Sequence, residues 1–145
     1  MTNEELILKD LTARLPYNVK FPIIDWDDDI QEEVQVNATL YSINKDGYVR
    51  TLESDYEFDI TSIKPYLFPM SSMTEEQYDE FEKIVSDDYL ENIQITKEMR
   101  EKVDFITHFP IYCPNVIDWF DKNHFDYRGL IEKGLAIDAT NLNVY

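Results

Sequence analysis

Between residues 17 and 60 the sequence keeps a period of two through four separate runs and leaves no room for a helix between them. Tyr17, Val19, Phe21 and Ile23 alternate with Asn18, Lys20, Pro22 and Ile24; Val34, Val36, Ala38 and Leu40 alternate with Gln35, Asn37, Thr39 and Tyr41. Tyr48 to Leu52, and then Tyr56, Phe58 and Ile60, continue the pattern. Successive strand side chains point to opposite faces, so each run has one sheltered face and one wet face. Asn44-Lys45-Asp46-Gly47 and Glu53-Ser54-Asp55 are polar breaks between runs, and Gly47 is free to take the positive φ of a tight reversal. Pro22 has no N–H to give a ladder, which predicts a sheet edge or a bulge there. Short strands joined by tight turns predict an antiparallel meander over residues 17–70 that curls into a small barrel or half-barrel.

The flanks carry a different period. Asn3 before Glu4 and Glu5, with Leu6, Ile7, Leu11 and Leu15 following, predicts an N-capped helix over residues 4–14, stopped by Pro16. Ser62-Ile63-Lys64-Pro65-Tyr66-Leu67 is similar to the closing segment of SH3-like small barrels. Beyond Pro69, Thr74 and Gln77 form a capping box ahead of Tyr78, Phe81, Ile84 and Val85, which fall on one side of a helix over residues 75–85. Thr96 caps a further helix candidate through Met99, Val103 and Ile106, and Asn115 caps a short one through Val116, Ile117, Trp119 and Phe120. The expectation is one α+β domain over residues 1–145: a leading helix, a small antiparallel SH3-like barrel or half-barrel, and two or three C-terminal helices with a tail packed on it.

Charge narrows the function. The formal net charge is −17, yet 43% of residues are hydrophobic and 14% aromatic, so the chain can build a core rather than stay disordered. An acidic surface repels phosphate backbones and anionic lipid, which argues against direct nucleic-acid binding and against membrane association. The first residues lack a basic, then apolar, leader pattern, and no apolar run approaches the length of a membrane span; with a single cysteine, the reading is a cytoplasmic protein. Three glycines are too few for a phosphate cradle, and two histidines with one cysteine cannot build a His/Cys metal site. Asp25 to Asp29 is the densest acidic run, but a calcium loop started at Asp25 would need Gly and Glu where Ile30 and Val36 stand. That run reads as a solvated loop between strands. Cys113, beside Tyr112 and Pro114, reads as a small buried hydrophobe, and nothing in its spacing from His108 or His124 implies a nucleophile–base pair. No catalytic residue, metal ligand or cofactor is assigned.

The segment from Ile117 to Ala136 concentrates aromatic and charged side chains with two of the three glycines. Trp119, His124, Asp126, Tyr127 and Arg128 are the residue types found in binding hot spots, and they serve equally to pin a tail onto a domain. The structural alternative is favoured, with Arg128 pairing a carboxylate, Asp126 being the nearest in sequence.

Three blocks also carry a family resemblance: Leu11 to Tyr17, Lys64 to Thr74, and Asn123 to Ala136. They resemble a family of short uncharacterised proteins of Bacteroides and related gut bacteria and of their phages and prophages. Residues 86–114 depart from that pattern and read as an insertion. The resemblance implies an origin, including a mobile-element one, and no activity; no family site residue carries over. The expected function is a noncatalytic intracellular module that binds a protein partner. One rival is an acidic nucleic-acid mimic that inhibits a host nucleic-acid-binding protein; the other is an enzyme with a carboxylate-based site.

Overall fold

The leading helix, α1 (Asn3–Arg14), starts one residue earlier than the sequence suggests, because Thr2 and not Asn3 is the cap. Thr2 Oγ1 accepts the Glu5 N–H at 3.1 Å while the Glu5 carboxylate accepts the Thr2 N–H at 2.7 Å. Each side chain thus satisfies a donor that the helix start leaves open. These details come from a computed structural model that describes residues 1–89 and 114–145; the helix candidate begun by Thr96, together with His108 and Cys113, lies outside the described residues.

Pro16 does not end the helical geometry at once. Its fixed φ carries Leu15–Tyr17 through one 3₁₀ turn, and Asn18 then reverses the chain at φ 56°. The first strand, β1 (Lys20–Asp27), therefore begins three residues later than Tyr17, though Val19, Phe21 and Ile23 are buried as the alternation requires. It pairs antiparallel with β2 (Glu32–Ile43) in a register that sets Phe21 opposite Ala38 and Trp26 opposite Glu33. Asp25 to Asp27 are thus strand and not loop; only residues 28–31 turn, with Asp27 Oδ1 accepting the Asp29 and Ile30 N–H groups at 2.9 and 3.3 Å.

The meander continues through β3 (Tyr48–Thr51) to β4 (Phe58–Asp59), in the order β1-β2-β3-β4. β1 is an edge strand, the position Pro22 demands. The fourth strand is shorter than its alternation suggests because the Asp59 carboxylate captures the Thr61 N–H at 2.8 Å and its hydroxyl at 2.6 Å. Those bonds fold Ile60–Ser62 into a 3₁₀ turn. The result is an α+β protein with a curled four-stranded antiparallel half-barrel, a leading helix and helices after the sheet.

After the sheet, the capping box of Thr74 and Gln77 starts α2 (Glu75–Tyr89), which runs past Asp87, and α3 (Pro114–Lys122) packs against it. The segment Pro65 to Phe68 then receives chain from both sides. β5 (Tyr66–Leu67) pairs parallel with β6 (Ile137–Asp138), while the Phe68 N–H donates to His124 C=O and Phe68 C=O accepts the Asp126 N–H, each at 2.8 Å. This ladder stitches the tail to the middle of the chain.

Two apolar clusters result. One gathers Ile7, Leu11, Phe21, Leu40, Val49 and Leu67 beneath the half-barrel; the other gathers Phe81, Val85, Trp119, Phe120, Phe125 and Tyr127 between α2, α3 and the tail. Val19, Phe21 and Leu40 share the first with half-buried Val36 and Phe58. On the described residues, no helix is long and apolar enough to cross a membrane.

Candidate functional site

The apolar stripe of α1 holds two residues that do not belong in an ordinary core. Ile7, Asp10, Leu11 and Arg14 sit three and four apart on one face, and all four are buried. Both charged members are fully enclosed, and Arg14 Nε donates to Asp10 Oδ2 at 2.8 Å. Arg14 Nη2 donates to Phe125 C=O at 2.6 Å and lies 3.8 Å from Asp121 of α3. Arg128, on the tail, donates Nη1–H to the other Asp10 oxygen at 2.8 Å and lies 3.5 Å from Asp121. Two guanidiniums and two carboxylates thus close a buried network, in which the Tyr127 hydroxyl also donates to Asp121 at 3.0 Å. The Tyr127 ring lies 4.3 Å from the Arg128 guanidinium and 5.6 Å from that of Arg14. Buried charges persist only when paired and hydrogen-bonded; each of the four has such a partner, although Arg14 Nη1 has none among the described residues.

Burial works against the Arg14 charge, but the attraction and hydrogen bond of Asp10, with Asp121 behind it, outweigh that and raise its pKa above the usual value. Asp121 moves the other way for a carboxylate in an ion pair: burial pushes it up, and Arg14 and Arg128 only partly offset this. Both values rise, which favours the charged form of Arg14 and the neutral form of Asp121, because Asp10 makes the close contact with Arg14 whereas Asp121 stands farther off. The Tyr127 hydroxyl is pushed up by burial and by its bond to Asp121.

The five residues singled out from the sequence lie in or beside this network. Trp119 is 9% exposed, and its indole N–H donates to Glu80 at 3.1 Å. Tyr127 and Asp126 are buried. The pairing of Arg128 with Asp126 is corrected: both Asp126 oxygens are taken by the backbone N–H groups of Leu130 and Ile131, at 2.8 Å each. A short carboxylate at the head of a turn reaches the amides that follow it more readily than a side chain two residues on. His124 sits at φ 60° and stacks on Tyr145, with centroids 3.8 Å apart and planes 11° from parallel. Burial and the nearby Arg14 charge pull its pKa down to about 4. Tyr145 is anchored in turn, its hydroxyl accepting the Lys20 N–H at 3.0 Å and donating to Tyr66 C=O at 2.8 Å. Trp119, His124, Asp126 and Tyr127 are buried in the fastening of the tail, whereas Arg128 is partly exposed beside α1.

Asp10, Arg14 and Asp121 are absent from the sequence-based set. The signal for the first two was visible: polar residues at the i+3 and i+7 positions of a stripe whose other members are Ile7 and Leu11.

The outer side of the sheet and the turns beside it are different. Ile24, Trp26, Ile30, Tyr41, Leu52 and Tyr56 are each more than half exposed. Where the end of β1 faces the connection between β3 and β4, a cleft of about 360 Å³ is lined by Asp25, Trp26, Asp28, Glu53, Asp55 and Tyr56. A larger depression of about 750 Å³ runs over the outer face of α1 past Leu8 and Thr12 to Arg128, but it is broad and mostly apolar. Among the described residues, no three His, Cys, Asp or Glu side chains are placed to hold a metal ion.

No protein-family model matches the sequence, and no curated protein or solved structure is significantly similar to it.

Proposed function

We propose that the chain is a noncatalytic module that binds a partner protein through the outer face of its curled sheet. The observation that carries this reading is the exposure of large apolar side chains on the sheet and its turns between residues 24 and 56, with Trp26 and Tyr56 lining one cleft. Ile24 and Trp26, two apart on an edge strand, share one face and are 58% and 53% exposed; Tyr56 is 65% exposed. Exposed aromatic and aliphatic groups set among charges mark interaction surfaces, since leaving them wet forfeits the free energy of their burial. Among the described residues, the buried His124 and Tyr127 lie in the fastening of the tail and line neither of the clefts described above.

The test is co-purification from a cell that naturally encodes the protein, run in parallel with the exposed-face variant Trp26→Ala/Tyr56→Ala. The variant should keep its melting temperature and lose the proteins that the natural chain retains. Equal recovery of the same proteins by both would overturn the assignment to this face.

A further inference from the structure

Resting on the protein-binding reading, we propose that the cleft between the end of β1 and the β3–β4 connection receives a lysine or arginine side chain from an extended basic segment of the partner. Trp26 and Tyr56 would flank the cation, and Asp28 and Asp55 would balance its charge.

The two walls come from parts of the chain thirty residues apart, and the backbone of each is held in place. Trp26 lies in a paired strand opposite Glu33. On the other wall, Glu53 accepts the Thr39 N–H at 2.6 Å and its hydroxyl at 2.7 Å, the Ser54 N–H donates to the Thr51 hydroxyl at 3.2 Å, and the Tyr56 N–H donates to the Ser54 hydroxyl at 3.2 Å. The backbone of both walls is therefore fixed before binding, which leaves the Trp26 and Tyr56 side chains as the main groups to be ordered.

Its chemistry selects a cation of a particular kind. No lysine or arginine lines it, and neither Asp28 nor Asp55 makes a hydrogen bond or ion pair with a described residue. An anion is excluded by the carboxylates. A hard metal ion would gain nothing from two aromatic faces, whereas an ammonium or guanidinium is attracted both to the ring faces and to the carboxylates. The aliphatic stem of such a side chain can lie along the rings, which a free inorganic cation cannot do.

The surroundings favour a peptide over a small amine. Pro22 and Ile24 share the Trp26 face of β1, and a second cleft of about 400 Å³ at this edge of the sheet is lined by Pro22, Ile23, Ile24, Gln35, Phe58 and Ile63. An extended segment laid along β1 would place side chains two residues apart at the spacing of Ile24 and Trp26. An aliphatic residue would enter the second cleft and a basic one the first.

The probe is an acetylated, amidated pentapeptide of sequence Leu-Thr-Arg-Thr-Leu, with an analogue carrying citrulline in place of arginine, titrated into the ¹⁵N-labelled full chain. Saturable amide shifts confined to residues 22–28 and 53–58 are expected. The citrulline peptide and the Trp26→Ala protein should each bind about tenfold more weakly. Glu4→Gln/Glu76→Gln, which removes two charges elsewhere, should change affinity less than about twofold. Equal binding of the citrulline analogue, shifts spread over the acidic surface, equal weakening by the Glu4/Glu76 variant, or no binding would overturn the proposal. If partner capture still depends on Trp26 and Tyr56 while the peptide fails, the cation claim falls and the docking face stands. If both fail, the two fall together.

Discussion

Arg128 donates to Asp10 at 2.8 Å across 118 residues of sequence. The contact joins the last stretch of chain to the first helix, and the partner carboxylate is fully enclosed. Because Asp10 also holds Arg14, and Arg14 reaches Phe125 C=O, one aspartate anchors both the helix that covers the half-barrel and the tail that covers α3. The two apolar clusters are thus linked through an ionic layer. Such a layer contributes little net stability over an apolar one but penalises any arrangement that leaves a charge alone.

Breaking the layer from one side should therefore be costly. Arg14→Ala leaves Asp10 with one cation and Asp121 with a weaker environment, and should destabilise the chain by about 3–5 kcal/mol in chemical denaturation. Arg14→Lys should recover only part of the loss, because an ammonium cannot reach Asp10 and Phe125 C=O with a planar fork.

The turn after Arg128 depends on a carboxylate and not on a salt bridge. Asp126→Ala would strip acceptors from the Leu130 and Ile131 N–H groups and should cost about 2–3 kcal/mol, while Asp126→Asn, which keeps one oxygen acceptor, should cost less. Hydrogen exchange at those two amides should accelerate in the alanine protein. Unchanged protection at both would contradict the assigned partners.

Much of this fold is written in local patterns, and the parts that are not have a physical reason. The alternation of Val19, Phe21 and Ile23, the turn at Asn44 to Gly47 and the capping box at Thr74 are all short-range signals, and each reappears in the structure. Boundaries shift where a side chain intervenes: Thr2 claims the helix cap, Pro16 prolongs the helical geometry, and Asp59 ends β4 early. The parallel pairing of Tyr66 and Leu67 with Ile137 and Asp138 joins segments about seventy residues apart, and no local period encodes it. The site follows the same division. The segment holding Trp119, His124, Asp126, Tyr127 and Arg128 stands out by composition, but the carboxylate that Arg128 chooses depends on α1 lying across it. Likewise Trp26 and Tyr56 share a cleft only because the sheet curls.

His124 gives the protein a defined acid sensitivity. Its pKa in the folded chain, about 4, lies below the ordinary value near 6.5, so between these limits the unfolded chain binds the proton more readily. Stability present above pH 6.5 is lost as the pH falls through that window, by about 3 kcal/mol from this group. Asp121 and Asp126, raised by burial, contribute in the opposite sense, favouring the folded state at low pH and losing that contribution as the pH rises. The difference between the natural chain and His124→Asn isolates the histidine, since asparagine tolerates φ 60°. Denaturation midpoints should fall more steeply between pH 6.5 and 4 for the natural chain; parallel curves would remove the assignment.

Burial grades the core of the half-barrel. Phe21 is fully buried, and Phe21→Ala should cost about 3–5 kcal/mol; Phe58, half-buried on the short β4, should cost about 2 kcal/mol on the same substitution. Equal losses would mean that the β3–β4 register, which sets Phe58 opposite Val49, is misplaced.

The account turns on residues 119–128 fastening the tail to α1 rather than facing a partner, and a double-mutant cycle between Asp10 and Arg128 tests that most directly. Chemical denaturation of Asp10→Ala, Arg128→Ala and the double variant should yield a coupling of about 2 kcal/mol. A coupling below about 0.3 kcal/mol, within the additivity expected of independent sites, would mean that Arg128 does not hold Asp10, and would return that segment to the surface.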